Sequence, residues 1–101
     1  IYINKESNLV FSFVWNDVKA VINVQKHGVS FDEAKTVFDD PEALLIADPD
    51  HSESEDRFVI LGLSNTLRLL VVCHCYRDDT IIRIISARKA TKNETLYYER
   101  R

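Results

Sequence analysis

Glycine and proline are scarce, two of each in 101 residues. With only Gly28 and Gly62, the chain has no glycine-rich phosphate loop and no nucleophile elbow, so nucleotide-binding and serine-hydrolase chemistry are set aside. No glycine- or proline-rich linker, internal repeat or low-complexity run divides it. Its 101 residues suffice for one core, and 1–101 reads as a single domain. Cysteine is limited to Cys73 and Cys75, which point the same way along one strand-like stretch. They are badly placed to bridge each other, which excludes a disulfide framework and fits a reducing compartment. No apolar run reaches the length of a membrane span and no basic-then-apolar leader opens the chain, so the expectation is a cytoplasmic protein that does not engage a membrane. Methionine is absent even from position 1. Residues 1–8 are therefore expected to be a flexible or non-native extension. An excess of basic charge is missing too: the net charge is −3, which argues against nonspecific nucleic-acid binding.

What is present is unevenly spread. The stretch from Asp39 to Asp56 holds eight of the sixteen acids and neither lysine nor arginine. From Arg83 onward, bases predominate: Arg83, Arg88, Lys89, Lys92, Arg100 and Arg101 against Glu94 and Glu99. A basic end suits an anion and an acidic middle suits a basic partner; a plain solvated surface is the alternative.

Leu9–Trp15 is a strand candidate. Asn16 suits a helix N-cap, with Val18, Val21, Ile22 and Gln25 at helical spacing. Lys26 and His27 close that helix at its negative end, and Gly28 suits the left-handed residue after it. Ser30 and Glu33 form a capping box for a second helix, which Asp39-Asp40-Pro41 ends. A meander follows: Ala43–Ala47, a polar loop, Arg57–Leu63, Leu67–Tyr76 and Thr80–Ala87, then a helix over Ala90–Arg101 capped by Thr91. Asn65 suits the left-handed position of the turn between the second and third of these strands. Short connections imply antiparallel neighbours. The fold class is α+β: a four-stranded antiparallel sheet plus a short N-terminal strand, with two N-terminal helices and one C-terminal helix. Helices cover one face and leave the other partly open.

Alternation assigns the faces. Leu69, Val71, Cys73 and Cys75 form an apolar side, expected to be the helix-packed core. Arg68, Leu70, Val72, His74 and Tyr76 form the other, on which Arg57, His74 and Arg83 can converge. Alternation also separates Arg83 from Arg88; the two share a site only if the chain bends or twists after Ser86. Cys73-His74-Cys75 is a poor metal set, because His74 points away from both thiols, and no cofactor is expected.

The arginines carry the chemistry. Cleaving RNA by its own 2′-hydroxyl needs a base, an acid for the leaving oxygen and fixed positive donors for the phosphorane. Guanidinium forks suit the last task; histidine, tyrosine or glutamate suit the first two, and aromatic faces stack bases. The alternative is that each arginine is a paired strand-edge charge.

Three stretches, FVWNDVKAVINVQKHGVSFDEAKTVFDDP, EDRFVILG and IIRIISARKATKNETLYYE, closely resemble the BrnT family of type II toxin–antitoxin toxins, from Phe13 to Glu99. The resemblance implies a RelE-like fold and a metal-independent endoribonuclease that arrests translation. It also implies a BrnA-type antitoxin partner, an RNA substrate, DNA contact only through the antitoxin, and homodimerisation within the complex. Family positions match Trp15, Lys19, Asn23, Lys26, His27, Gly28, Phe31, Glu33 and Ala34. They also match Glu55, Arg57, Gly62, Arg83, Ser86, Arg88, Glu94 and Tyr98. Capping and packing account for several of these. The expected catalytic set is Arg57, Arg83 and Arg88 on the phosphate, Tyr98 or His27 as acid or base, and Glu94, which shares a helix face with Tyr98. Lys26, His74, Lys89 and Lys92 are the expected RNA contacts; His74 comes from the residues and has no counterpart in the family. Asn16, Asn93, Thr95 and Leu96 depart from the family pattern, which thins the positive surface of the last helix. A second reading keeps fold and partner without catalysis: an antitoxin-bound corepressor.

Overall fold

Local chemistry places the first helix. Asn16 is extended, and its Oδ1 accepts the Lys19 N–H at 3.0 Å. Helix α1 (Asp17–His27) follows and stops at Gly28, whose φ of 67° is left-handed and whose N–H donates to the Val24 carbonyl at 2.8 Å. The computed structural model describes residues 2–4, 9–47 and 57–100. The whole polar loop at 48–56, Glu55 included, lies outside the described residues.

Ser30 Oγ accepts the Glu33 N–H at 3.0 Å and starts α2 (Phe31–Ala34), which tightens into a 3-10 segment, Lys35–Asp39. The capping box expected there is half formed. Glu33 turns its carboxylate outward to Arg68, Ser64 and Thr66 instead. The strands are β1 (Tyr2–Asn4), β2 (Leu9–Val14), β3 (Leu44–Ala47), β4 (Phe58–Leu63), β5 (Leu69–Asp78) and β6 (Ile81–Lys89), and α3 spans Lys92–Arg100. In the turn between β4 and β5 the left-handed residue is Leu67, with φ 64°, not Asn65. Asn65 is held by its N–H on Thr36 Oγ1 at 2.9 Å.

The sheet runs β1-β2-β6-β5-β4-β3. The β3–β6 meander is antiparallel throughout, as short connections require. The expected four-stranded antiparallel sheet is nevertheless incomplete. β2 joins β6 in parallel, pairing Ser12–Val14 with Ile81–Arg83, so five strands form a mixed sheet. Tyr2–Asn4, inside the stretch expected to be an extension, adds a short antiparallel strand beside β2. A parallel pair needs a long crossover, and here everything between β2 and β6 supplies it.

The face assignment is also reversed. Leu70, Val72 and His74 lie in the main core with Phe31, Val37, Phe38, Ile82, Ile84 and Ala87. Burying Leu70, Ile82 and Ile84 contributes roughly 1.5–3 kcal/mol each. Leu61 and Val71 pack instead against Tyr98 of α3, with Leu44, Val59, Leu63 and Leu69 around them. Helices therefore cover both faces, α2 one and α3 part of the other. Both sides of β5 are apolar enough to be core, so alternation alone could not rank them.

Helix α1 is inverted relative to its pattern. Val18 is 68% exposed and Val21 58%, with Ile22 and Val24 also in solvent, whereas Asn23 is 5% exposed. β2 covers the β6 edge only as far as Arg83. Beyond it, Asn23 serves that edge like a strand: Nδ2 donates to the Ala87 and Val29 carbonyls at 2.8 Å, and Oδ1 accepts the Ala87 N–H at 3.1 Å. A side-chain amide, with two donors on nitrogen and an acceptor oxygen, meets all three groups at once.

Candidate functional site

Two irregularities in the β5–β6 ladder build the site. Cys73 pairs with Ser86 and His74 with Ile84, so Ile85 is an extra residue on β6. This bulge reverses the alternation after it. Arg83 pairs with Cys75 and Arg88 with Val71, and Cys75 and Val71 share a face of β5. The two arginines therefore share the face that carries α3, four β5 residues apart, or ~13 Å at strand rise. The bend lies one residue earlier than expected, at Ile85. Arg57 immediately precedes Phe58, which pairs with His74. Extending that register sets Arg57 opposite Cys75, two strands or ~10 Å from Arg83 on the same face. Exposed Ser86 and half-buried Cys73 lie between the row of Arg57 and Arg83 and the row of Arg88.

The second irregularity falls between Tyr76 and Asp78, where Tyr76 pairs with Ile82 and Asp78 with Ile81. Arg77 is the extra residue. Together with Arg83, Val14, Trp15 and Asn16 it lines a cleft of about 370 Å³. A smaller hollow of about 210 Å³ lies beside α3, between Tyr97, Glu94, Asn93 and the apolar residues Leu44, Val59, Leu61 and Val71.

Arg88 is clamped. Its Nη1 and Nη2 donate to the two Glu94 oxygens at 2.8 and 2.9 Å. Glu94 Oε1 also accepts the Thr91 N–H at 2.8 Å, and Thr91 Oγ1 accepts the Glu94 N–H at 3.2 Å. These reciprocal bonds are a capping box, signalled by T-x-x-E at the start of α3. The Arg88 hydrogen bonds, helped by the Thr91 backbone, hold the Glu94 carboxyl at about 2, and Glu94 in turn raises Arg88. Glu94 is thus a carboxylate that fixes a guanidinium, not a proton donor at neutral pH. Glu33 has the same character: hydrogen bonding from Arg68 first, then from Thr66 and Ser64, lowers it to about 2 against the opposing effect of burial.

Tyr98 is buried, and its hydroxyl donates to Asp40 Oδ2 at 2.7 Å. The same oxygen accepts the Leu63 N–H at 2.8 Å, while Oδ1 accepts the Glu42 N–H at 2.9 Å. Asp40 thereby ties α3 to the end of β4, a bond that sequence could not foresee. Gly62 sits against this knot: a Cβ there would lie 2.9 Å from both Ala43 Cβ and Val37 Cγ1 and 3.1 Å from Asp40 Oδ2.

His74 is not an RNA contact. It is 0% exposed, packed edge-on against Phe38 and Tyr76 with ring centroids 4.8 and 5.5 Å away. Its Nδ1 lies 3.2 Å from the Val72 carbonyl, and Nε2 has no hydrogen-bond partner among the described residues. Burial pushes its pKa down to about 4. It does not join Arg57 and Arg83, because its row faces the opposite side. Lys26 and His27 are exposed in the last turn of α1. Since α1 runs beside β6 from Arg83 toward Ala87, this turn lies near the Lys89 end. Lys89 is exposed and pairs with Leu70, which puts it on the α2 side of the sheet; Lys92 is exposed at the start of α3. Sequence reasoning did not foresee the bonds made by Asn23, Asp40 and Arg68, nor the place of Arg77 in the cleft. Among the described residues no three His, Cys, Asp or Glu side chains gather as a metal set. No helix there is long and apolar enough to cross a membrane.

A family model described as the ribonuclease toxin BrnT of type II toxin–antitoxin systems matches residues 15–94. No curated protein sequence matches the chain. Among solved structures, the 1.1 Å crystal structure of the Brucella abortus ribonuclease toxin BrnT is similar with a TM-score of 0.61. That match covers 82% of this chain and 100% of that chain at 20% identity, a likeness that speaks to the fold.

Proposed function

The chain belongs to the family of BrnT ribonuclease toxins of type II toxin–antitoxin systems, and from that premise we propose that it is a cytoplasmic, metal-independent endoribonuclease. In this reading it cleaves RNA at the arginine face, arrests translation and is neutralised by a BrnA-type antitoxin. The observation that carries the reading is that Arg83 and Arg88 share one half-open face, on which Arg57 falls when the β4 register is extended by one residue. RNA cleavage by the 2′-hydroxyl builds charge on the phosphorane, and preorganised guanidinium donors stabilise it. Arg57 and Arg83 hold the phosphate. Arg88, already oriented by Glu94, approaches from the α3 side. Glu94 is a positioning residue, and Tyr98 keeps α3 in place. With the Tyr98 hydroxyl engaged by Asp40, exposed His27, toward the Arg88 end of β6 and away from Arg57 and Arg83, is the acid–base candidate only for a phosphate drawn to Arg88. Lys26, Lys89 and Lys92 supply positive charge beyond the Arg88 end of that face, Lys89 from the far side of β6. The exposed apolar face of α1 supports a protein partner, and two toxin copies meet within that complex.

The test is cleavage of single-stranded RNA by the wild type, Arg83→Ala and Arg88→Ala. Loss of one stabilising donor reduces kcat by about 100-fold or more. Equal rates in all three, with unchanged circular dichroism, would remove the site. The occupation of Arg88 by Glu94 favours one alternative, an antitoxin-bound corepressor without catalysis. Growth of cells expressing the chain alone, at the rate of control cells, would select it.

A further inference from the structure

We infer that the apolar hollow beside α3 is a nucleobase subsite for the RNA strand. One base lies over Val59, Leu61 and Val71, against the Tyr97 ring, with its edge at the Asn93 amide. Tyr97 then sets affinity and Asn93 sets base preference. The inference rests on the ribonuclease reading and names what holds the strand beside the arginine face.

Three observations carry it. The first is place. Val71, in the lining of the hollow, pairs with Arg88, and Glu94, also in the lining, is the carboxylate that clamps that guanidinium. Val59 stands two residues along from Arg57, on the same side when β4 is extended by one residue and ~7 Å away. The hollow is therefore continuous with the arginine face, and a base within it leaves its sugar and phosphate beside that face. The second is size and polarity. At about 210 Å³ the hollow is smaller than the roughly 300 Å³ at which pockets take drug-sized ligands, so it suits a single ring system. Its floor is aliphatic, with Leu61 and Val71 buried. Glu94, the one charged residue in the lining, is negative and already engaged by Arg88 and Thr91, so the hollow suits a neutral ring and not a phosphate. The third is the state of two side chains. Asn93 and Tyr97 are four residues apart on one side of α3, and Tyr97 is 61% exposed. Among the described residues neither side chain has a hydrogen bond or ring contact. Tyr98, donating to Asp40 at 2.7 Å, holds this turn of α3 on the sheet and so fixes the gap between ring and floor. An aromatic face stacks any base, and an amide offers a donor and an acceptor to its edge. Continuity with the arginines and the amide at the edge favour a base over an apolar side chain of a protein partner.

The probes are a fluorescein-labelled 2′-O-methyl RNA tetranucleotide, protected from cleavage by its blocked 2′-oxygens, and the same strand with all four bases removed. The second keeps every phosphate. Anisotropy titrations with the intact chain compare them. Tyr97→Ala is expected to weaken binding of the base-bearing strand about tenfold and to leave binding of the abasic strand unchanged. The slope of log affinity against log salt stays at its wild-type value, because no phosphate contact is lost. Tyr97→Phe keeps the stacking face and the affinity. Among the four homotetramers, Asn93→Ala lowers the affinity of the one the wild type prefers by about tenfold, toward the other three. If Tyr97→Ala binds the base-bearing strand like the wild type, or weakens the abasic strand as much, the subsite is refuted; the hollow then takes something other than a base. Asn93→Ala with the wild-type order and spread of affinities would overturn the role of Asn93. A wild type that cleaves RNA without binding the probe removes the subsite and leaves the ribonuclease reading standing. If the wild type neither binds the probe nor cleaves RNA, both fall.

Discussion

Replacing Asn23 by alanine removes three hydrogen bonds at one buried point, two at 2.8 Å and one at 3.1 Å. The change strands the Ala87 N–H, the Ala87 carbonyl and the Val29 carbonyl in a region where Val29 and Ala87 are almost wholly buried. Each buried group left without a partner costs about 1–3 kcal/mol. Some relaxation and water entry bring the expected total to ~3–5 kcal/mol, a large part of the roughly 5–15 kcal/mol available to a domain. At about 4–8 °C per kcal/mol for a domain near this size, the midpoint of thermal unfolding falls by at least ~12 °C. Urea unfolding followed by circular dichroism measures the loss as a lower midpoint at constant slope. Asn23→Asp sharpens the test. A carboxylate still accepts from the Ala87 N–H but faces two carbonyls without a donor. Its folded-state pKa is raised above the unfolded value, so the variant loses stability as pH rises through that interval and recovers some on acidification. Ala87 adjoins Arg88, and RNA cleavage should fall with the edge it stands on. A loss below about 1 kcal/mol for Asn23→Ala would refute the idea that this amide replaces a strand on the β6 edge.

Tyr98→Phe removes a hydrogen bond to a carboxylate and should cost about 1.5–3 kcal/mol by urea unfolding. RNA cleavage at a temperature where the variant is folded should persist; a 100-fold loss of kcat would return Tyr98 to the chemistry. His74 ionises at about 4 when folded against 6.5 when free. The unfolded chain therefore binds more protons between those values, and stability is full above pH 6.5 and declines toward pH 4 by up to ~1.4 kcal/mol per pH unit. Glu33 and Glu94, both held at about 2, continue the decline from pH 4.5 to 2. His74→Leu should abolish the upper part of that profile and leave RNA cleavage intact; a persistent slope above pH 4.5 would show another group responsible. Gly62→Ala forces a methyl to within 2.9 Å of Val37 and Ala43 and 3.1 Å of Asp40. Overpacking of this kind costs about 1–3 kcal/mol, measurable as a lower urea midpoint, and a neutral result would mean that the Asp40–Tyr98 knot yields freely.

The sequence by itself determined the elements whose signals lie within a few residues. Asn16 and Gly28 bound α1, Ser30 starts α2, and the meander strands begin and end within two residues of their expected limits. Caps and turns depend on hydrogen bonds between near neighbours, so local chemistry suffices for them. The arginines were legible as a group, because charge set into a run of isoleucines demands a reason.

Their arrangement was decided by tertiary structure. One extra residue at Ile85 turns Arg88 to the face of Arg83, and one at Arg77 opens the cleft beside Arg83. A single-residue shift inverts every side chain that follows, and no local preference announces where the ladder slips. The same holds for β2, whose partner is the strand farthest along the meander, and for α2, which took the face that alternation had left open. Asn23 shows the reason most directly. Its neighbours on α1 are the better candidates for burial, yet the unpaired edge at Ala87 needs a donor and an acceptor together, and that demand exists only after β2, α1 and β6 have met.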